Sequence, residues 1–417
     1  MVRLPLGPPQ GEQKILDKKE VIDMGAAVGP RSSIGPDVLR SAVGTWEKTG
    51  WALLADLVNT DSPAVHKAGV DECGERMARF LCQFGFTAER QPHEVMGDRW
   101  LFRHGPPNGL EGHPILLQGH LDTVFEVGTS AVRPFRLEGE RAYGPGVADM
   151  KGGVVVIGLA LAALSDLGWC GLDLVEVLLT PDEEQGSPTS RAIIESRAAR
   201  CRAAFVFEAG RSDGSIVIAR KGSARYRLIV TGRRAHGGLE PEKGASAIKE
   251  LAHQVLCCYA ATEPVQDLAV NVAWFEGGGP GNIVADRAEA RVHVGFWTQP
   301  DLVRWEDEIR ASVTVPSVPG TTPELQGGVT FLPMAETAGV QQLYGLVQRA
   351  GQLVGVSVRG TRTRGAADAG FIGAQGVPVL CGLGPVGGNL HAETEYIEAH
   401  SLVERATLLA MSLLLTA

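Results

Sequence analysis

Apolar residues recur at helical spacing from Val43 to Leu57 (Val43, Trp46, Trp51, Leu53, Leu54, Leu57), and a polar turn, Asn59–Ser62, precedes Pro63. That pattern predicts a helix and then a turn. Val70–Phe84 repeats it and predicts a second amphipathic helix, with Gly85 as its stop. Short strands are expected at Thr87–Arg90, Arg99–Arg103 and Pro114–Gln118, a helix at Gly153–Leu167 and a strand at Leu172–Thr180. The last is mostly apolar, as a strand covered on both faces would be. Helix Arg191–Arg197 and strand Ala203–Phe207 continue the alternation, which predicts an α/β sandwich with a mostly parallel sheet between helices.

Near Arg220 the rhythm changes. Strand Arg225–Thr231, helix Gly244–Ala261, strands Ala269–Glu276 and Ala288–Phe296, helix Pro300–Val313 and strand Val329–Met334 follow in turn. This β-α-β-β-α-β order is the ferredoxin-like α+β unit. Helix Gly339–Val354, strand Val377–Gly382 and helix Ser401–Leu414 then resume the first pattern. The expected organisation is an N-terminal arm (1–35), a catalytic domain in two parts (36–219 and 335–417) and an inserted domain (220–334).

Length and charge narrow the function. A chain of 417 residues is ample for a large core. A formal charge of −9 and the lack of a basic cluster argue against nucleic acid as a partner. No apolar run reaches the length of a membrane span, and the N-terminus lacks the apolar core of a signal peptide. Seven scattered cysteines, never spaced C-x-x-C, read as free thiols in a reducing compartment. A cytoplasmic protein is expected.

The candidate chemistry lies where strands end. Pro114–Gln118 runs into Gly119-His120-Leu121-Asp122, and residues two apart on an extended chain share a face. An imidazole held by a neighbouring carboxylate is a usual arrangement for a metal ligand. Asp149 sits in a glycine-rich turn ahead of an apolar helix. Leu172–Thr180 leads into Pro181-Asp182-Glu183-Glu184, Ala203–Phe207 ends at Glu208, and Val377–Gly382 leads by a glycine-rich loop to His391. Singly, each has an ordinary explanation as a helix-start acid, a surface carboxylate or a loop histidine. Together they gather beyond the carboxyl ends of strands, where open α/β sheets bind ligands.

Two imidazoles and three carboxylates without thiolate suit zinc, with cobalt or manganese as alternatives. Two such ions lower the pKa of a shared water and clamp the oxygens of a reacting centre. Asp149 is the natural bridge, offering one oxygen to each ion. Of adjacent Glu183 and Glu184, one can bind metal while the other acts as general base.

The motifs GHLDTV, AYGPGVADMKGG, DEEQGS, FEAGR, RRAHGG, GNIVAD and GGNLHAETEY together resemble those of the co-catalytic zinc carboxypeptidase and aminoacylase family, in particular its bacterial glutamate carboxypeptidase-like metallopeptidases. The resemblance runs from about Asp56 to the C-terminus. It implies that His120 and Glu208 hold one zinc, that Glu184 and His391 hold the other, and that Asp149 is shared. It further implies Glu183 as general base and then acid, with Asp122 orienting His120. The inserted domain would form a homodimer, His236 would reach the partner's site to stabilise the oxyanion, and Asn282 would hold substrate.

Two positions depart from the family pattern. Gly295 stands where an arginine usually grips a substrate carboxylate, and Arg364 stands where glycine is usual. Arg364, or less readily Arg362, is therefore a candidate for anion recognition. The expected function is a di-zinc hydrolase cleaving a peptide or N-acyl bond of a small substrate, such as an N-acyl amino acid, by attack of an activated water. One alternative applies the same chemistry to a ureido, carbamoyl or other non-carboxylate amide. Another is a catalytically silent binding protein on the same fold.

Overall fold

A computed structural model describes residues 34–105, 113–262 and 267–416. The expected N-terminal arm falls almost wholly outside these residues. The single helix expected over Val43–Leu57 is two, Pro36–Thr45 and Glu47–Val58, parted at Trp46. Pro36, at the first helical position, starts the pair where its missing N–H costs nothing. Helix Lys67–Leu81 passes through a short 3-10 turn to Gly85, whose φ of 82° is a left-handed conformation that glycine adopts freely.

The main sheet has six strands, in the order Phe86–Gln91, Arg99–His104, Val175–Thr180, Ile115–His120, Ala203–Val206, Val379–Leu380. The last four run parallel and the first two form an antiparallel edge. Strand Val175–Thr180 begins later than expected because Cys170–Leu174 forms a 3-10 turn. Strands Ile115–His120 and Val175–Thr180 are buried along their whole length. Helix Gly152–Asp166 packs on one face and is itself apolar nearly all round. With the preceding turn it is long and apolar enough to cross a membrane, yet it is wholly enclosed by protein. A Cβ on Gly153 would lie 1.9 Å from the Phe207 carbonyl oxygen. Only glycine lets the helix start this close to the strand end that carries Glu208.

The chain leaves this layer at Arg220 and returns at Met334, and the two residues exchange backbone hydrogen bonds (3.0 and 3.1 Å). Between them lies a four-stranded antiparallel sheet, in the order Ala269–Gly277, Arg287–Phe296, Gly222–Thr231, Thr322–Phe331. Helices Ala247–Ala260 and Gln299–Thr314 cover one of its faces, with Trp305 at the centre of the core between them. Ser246 and Thr298 cap these helices, each accepting a backbone N–H three residues on. The last strand starts at Thr322 and ends at Phe331, instead of spanning Val329–Met334. Pro323, Gly327 and Gly328 hide its apolar alternation, and an edge strand tolerates them.

Candidate metal centre

Four adjacent parallel strands aim their carboxyl ends at one place. His120 is the last residue of its strand, Glu183 and Glu184 follow Thr180 by a tight turn, and Glu208 follows Val206. Val379–Leu380 leads to the loop of His391, and Asp149 precedes the helix that starts at Gly152.

The distances divide the cluster into two halves about Asp149. His120 Nε2 lies 3.1 Å from Asp149 Oδ1 and 3.9 Å from Glu208 Oε1. His391 Nε2 lies 3.2 Å from Asp149 Oδ2 and 3.4 Å from Glu184 Oε1. Ligand atoms of His120, Asp149 and Glu208, and of Asp149, Glu184 and His391, all approach within 4.8 Å in their respective groups. A third such group joins His120 to Glu183 and Glu184, so proximity alone does not separate base from ligand in that pair.

The residues fit a metal. Glu208 Oε1 and Glu184 Oε1, one in each half, are buried without a hydrogen-bond partner, a costly arrangement unless a cation answers them. Nitrogen and oxygen ligands about 2.0–2.2 Å from a tetrahedral ion stand roughly 3.3 Å apart, close to most of the spacings here. Burial, and then Asp149, push the Glu208 carboxyl up to about 7. Burial and Glu208 hold Glu183 well above the usual carboxylate range. Contacts with Asp149 and Glu184 push His391 up to about 10. So much negative charge in a buried space draws either protons or cations.

Supporting contacts set the orientation. His120 Nδ1 lies 3.0 Å from the Asp122 carbonyl oxygen and 3.3 Å from its Oδ1, which turns Nε2 toward the cluster. The Asp122 carboxylate also accepts the backbone N–H groups of Glu183 and Glu184. His391 sits at φ 63°, a left-handed conformation uncommon outside glycine and typical of constrained sites. Two buried acids escaped the sequence reading. Glu395 accepts N–H groups from Gly146, Ala148 and Asp149. Asp368 accepts from Gln118 Nε2 and Ser187 Oγ. Glu395 lies inside the GGNLHAETEY motif, which was its one available signal.

The other expected residues lie apart from the cluster. His236 and Asn282 are on exposed loops of the inserted sheet, joined through a bridge between His236 and Ile283, and neither lines the cavity beside the metal centre. His236 Nδ1 accepts the N–H groups of Gly238 and Leu239, which leaves Nε2 as the donor. Arg364 reaches the cavity rim, but its Nη2 is 3.2 Å from Asp267 Oδ1 and its side chain is 77% exposed. Arg362 is paired with Glu336 at 2.7 Å. Gly295 does not itself line the cavity, and a Cβ there would meet Ala269 (3.6 Å), Lys221 (3.7 Å) and His293 (3.8 Å).

Residues 116–414 match the model of Peptidase family M20/M25/M40. Carboxypeptidase G2 of a Pseudomonas species is 29% identical over 84% of this chain and 85% of its own length. Succinyl-diaminopimelate desuccinylase of Alkalilimnicola ehrlichii is 25% identical over 79% of this chain and 90% of its own. In fold, the chain is similar to an M20 family metallo-carboxypeptidase of Sulfolobus solfataricus, with a TM-score of 0.70, 17% identity and coverage of 88% and 99%. The chain belongs to peptidase family M20/M25/M40 and is a metal-dependent hydrolase of amide bonds.

Proposed function

We propose that this hydrolase carries two zinc ions and cleaves a peptide or N-acyl bond of a small substrate, as a carboxypeptidase or N-acyl-amino-acid deacylase. The observation that carries the reading is the divided carboxylate of Asp149, with Oδ1 toward His120 and Oδ2 toward His391. An unpartnered glutamate oxygen completes each half. His120 and Glu208 would hold one ion, Glu184 and His391 the other, and Asp149 both. Bound divalent ions supply Lewis acidity, polarising a carbonyl and lowering the pKa of water.

The remaining work falls to side chains. Glu183 is buried and its carboxyl is held well above the usual range. It would take a proton from the attacking water and deliver it to the leaving nitrogen. Asp122 fixes the turn that presents Glu183. His236, with Nε2 as donor, would stabilise the oxyanion in a second copy's site, and Asn282 would hold substrate there. This makes the segment 220–334 a dimerisation lid, its function requiring a homodimer. Seven free cysteines agree with a cytoplasmic setting. The test is a panel of N-acyl amino acids and dipeptides offered to zinc-loaded, cobalt-loaded and chelator-treated protein. Metal-dependent release of the free amino acid supports the reading; no turnover with either metal contradicts it.

A further inference from the structure

The cavity beside the metal centre holds about 320 Å³ and is lined by side chains of both charges. Asp149, Glu183, Glu184, Glu208 and His391 line it together with Arg211, Arg220, Arg225 and Arg364. The four arginines are not equivalent. Arg364 is already answered by Asp267 and is largely hydrated. Arg225 is exposed to solvent. Arg220 is buried and held by Gly365 O (3.1 Å), Ala366 O (3.3 Å) and Cys381 Sγ (3.2 Å).

Arg211 stands three residues past Glu208, and its Nε is buried without a hydrogen-bond partner. Among the described residues no carboxylate pairs with its guanidinium. Burial, and then the charge of Arg220, push its pKa below the usual arginine range. Glu208 and Asp149 oppose that shift, but both are committed to the metal centre. A half-buried, unpaired guanidinium beside a second one is unfavourable until an anion arrives.

We propose that Arg211, backed by Arg220, receives a carboxylate of the substrate. The substrate class is then an N-acyl amino acid or peptide whose free carboxylate lies against Arg211. This rests on the hydrolase reading above, which locates the scissile bond. A guanidinium suits the task, since its planar fork can donate two parallel bonds to a carboxylate. The corner at Gly295 is served by a different cation. The Lys221 side chain passes 3.7 Å from where a Cβ of Gly295 would be, and its Nζ is paired with Asp267 Oδ1 at 3.0 Å. Arg364 Nη2 shares the same Asp267 Oδ1 at 3.2 Å, so both cations there already face a carboxylate.

N-Benzoylglycine and N-benzoylglycinamide differ in whether that carboxylate is present. Calorimetric titration of each into zinc-loaded Glu183→Gln protein reads binding without turnover. The acid is expected to bind at least about tenfold tighter than the amide. Adding Arg211→Met should weaken the acid roughly 10- to 100-fold and leave the amide within about twofold. Arg211→Lys should keep part of the preference, and Arg364→Ala all of it. An acid preference that is absent from the parent, that survives Arg211→Met, or that falls only with Arg364→Ala overturns the proposal. If the acid binds through Arg211 while the wild type turns over no N-acyl amino acid, the hydrolase reading fails and the role of Arg211 stands.

Discussion

The carboxylate of Glu395 accepts the backbone N–H of Asp149 at 3.0 Å. It also takes the N–H groups of Ala148 (2.8 Å) and Gly146 (3.2 Å), so one buried side chain fixes three peptide groups of the loop presenting Asp149. Truncating it leaves buried donors unpaired, at about 1–3 kcal/mol each. Glu395→Ala should therefore lower unfolding free energy by at least about 2 kcal/mol and reduce bound metal. Glu395→Gln keeps one acceptor oxygen and should lose less. Urea titration with metal analysis checks both; an alanine variant of wild-type stability would show that the loop is held by other contacts.

Asp122 links the two halves of the chemistry. Its carbonyl oxygen (3.0 Å) and its Oδ1 (3.3 Å) both face His120 Nδ1, and its carboxylate holds Glu183 N at 3.1 Å and Glu184 N at 3.0 Å. Asp122→Ala leaves the backbone carbonyl on the imidazole but removes the Oδ1 contact and frees the turn carrying the base. It should lower kcat by about 10- to 100-fold, with KM changing by only a few-fold. Steady-state kinetics on any accepted substrate decides this, and a change confined to KM would count against a positioning role.

How much of this was legible in the sequence depended on where each residue's partner lies. His120 and Glu208 stood out because apolar strands ended in them, and Asp149 because a glycine-rich turn preceded an apolar helix. Glu395 and Asp368 did not stand out. They act on Asp149 and Gln118 from 246 and 250 residues away, and no local period marks such a contact. The chain also lacked an obvious sign for the short strand Ile216–Arg220, which pairs with Gly360–Thr363 outside the main sheet. Arg364 looked available for an anion because sequence does not reveal that Asp267 sits beside it. The proposal for Arg211 depends on the opposite circumstance, a charge left without a partner.

Asp368 provides a stability test that involves no metal. Burial pushes its carboxyl up to about 7, against about 3.9 in an unfolded chain. The folded state therefore binds that proton more tightly. The stabilisation is complete below about pH 4 and is lost as pH rises through about 7. In chelator-treated protein, the wild type should lose about 1 kcal/mol more than Asp368→Asn between about pH 6 and about pH 8. Denaturant midpoints across that range measure it, and parallel slopes would contradict the assignment.

The proposed contribution of His236 to a second copy's site predicts complementation. His236→Ala and Glu183→Ala homodimers should each be inactive. Mixed and reassembled at random, they should regain about a quarter of wild-type turnover, because each heterodimer carries one intact site. No recovery, despite heterodimers seen by native mass spectrometry, would place His236 outside the chemistry.

Metal stoichiometry measured by elemental analysis on the purified variants bears most directly on the paired-ion centre. The wild type should hold about two zinc ions per chain, and His120→Ala and His391→Ala about one each. Glu183→Ala should keep about two while turnover falls by at least about a hundredfold. A single ion in the wild type, or equal metal loss in all three variants, would contradict the account.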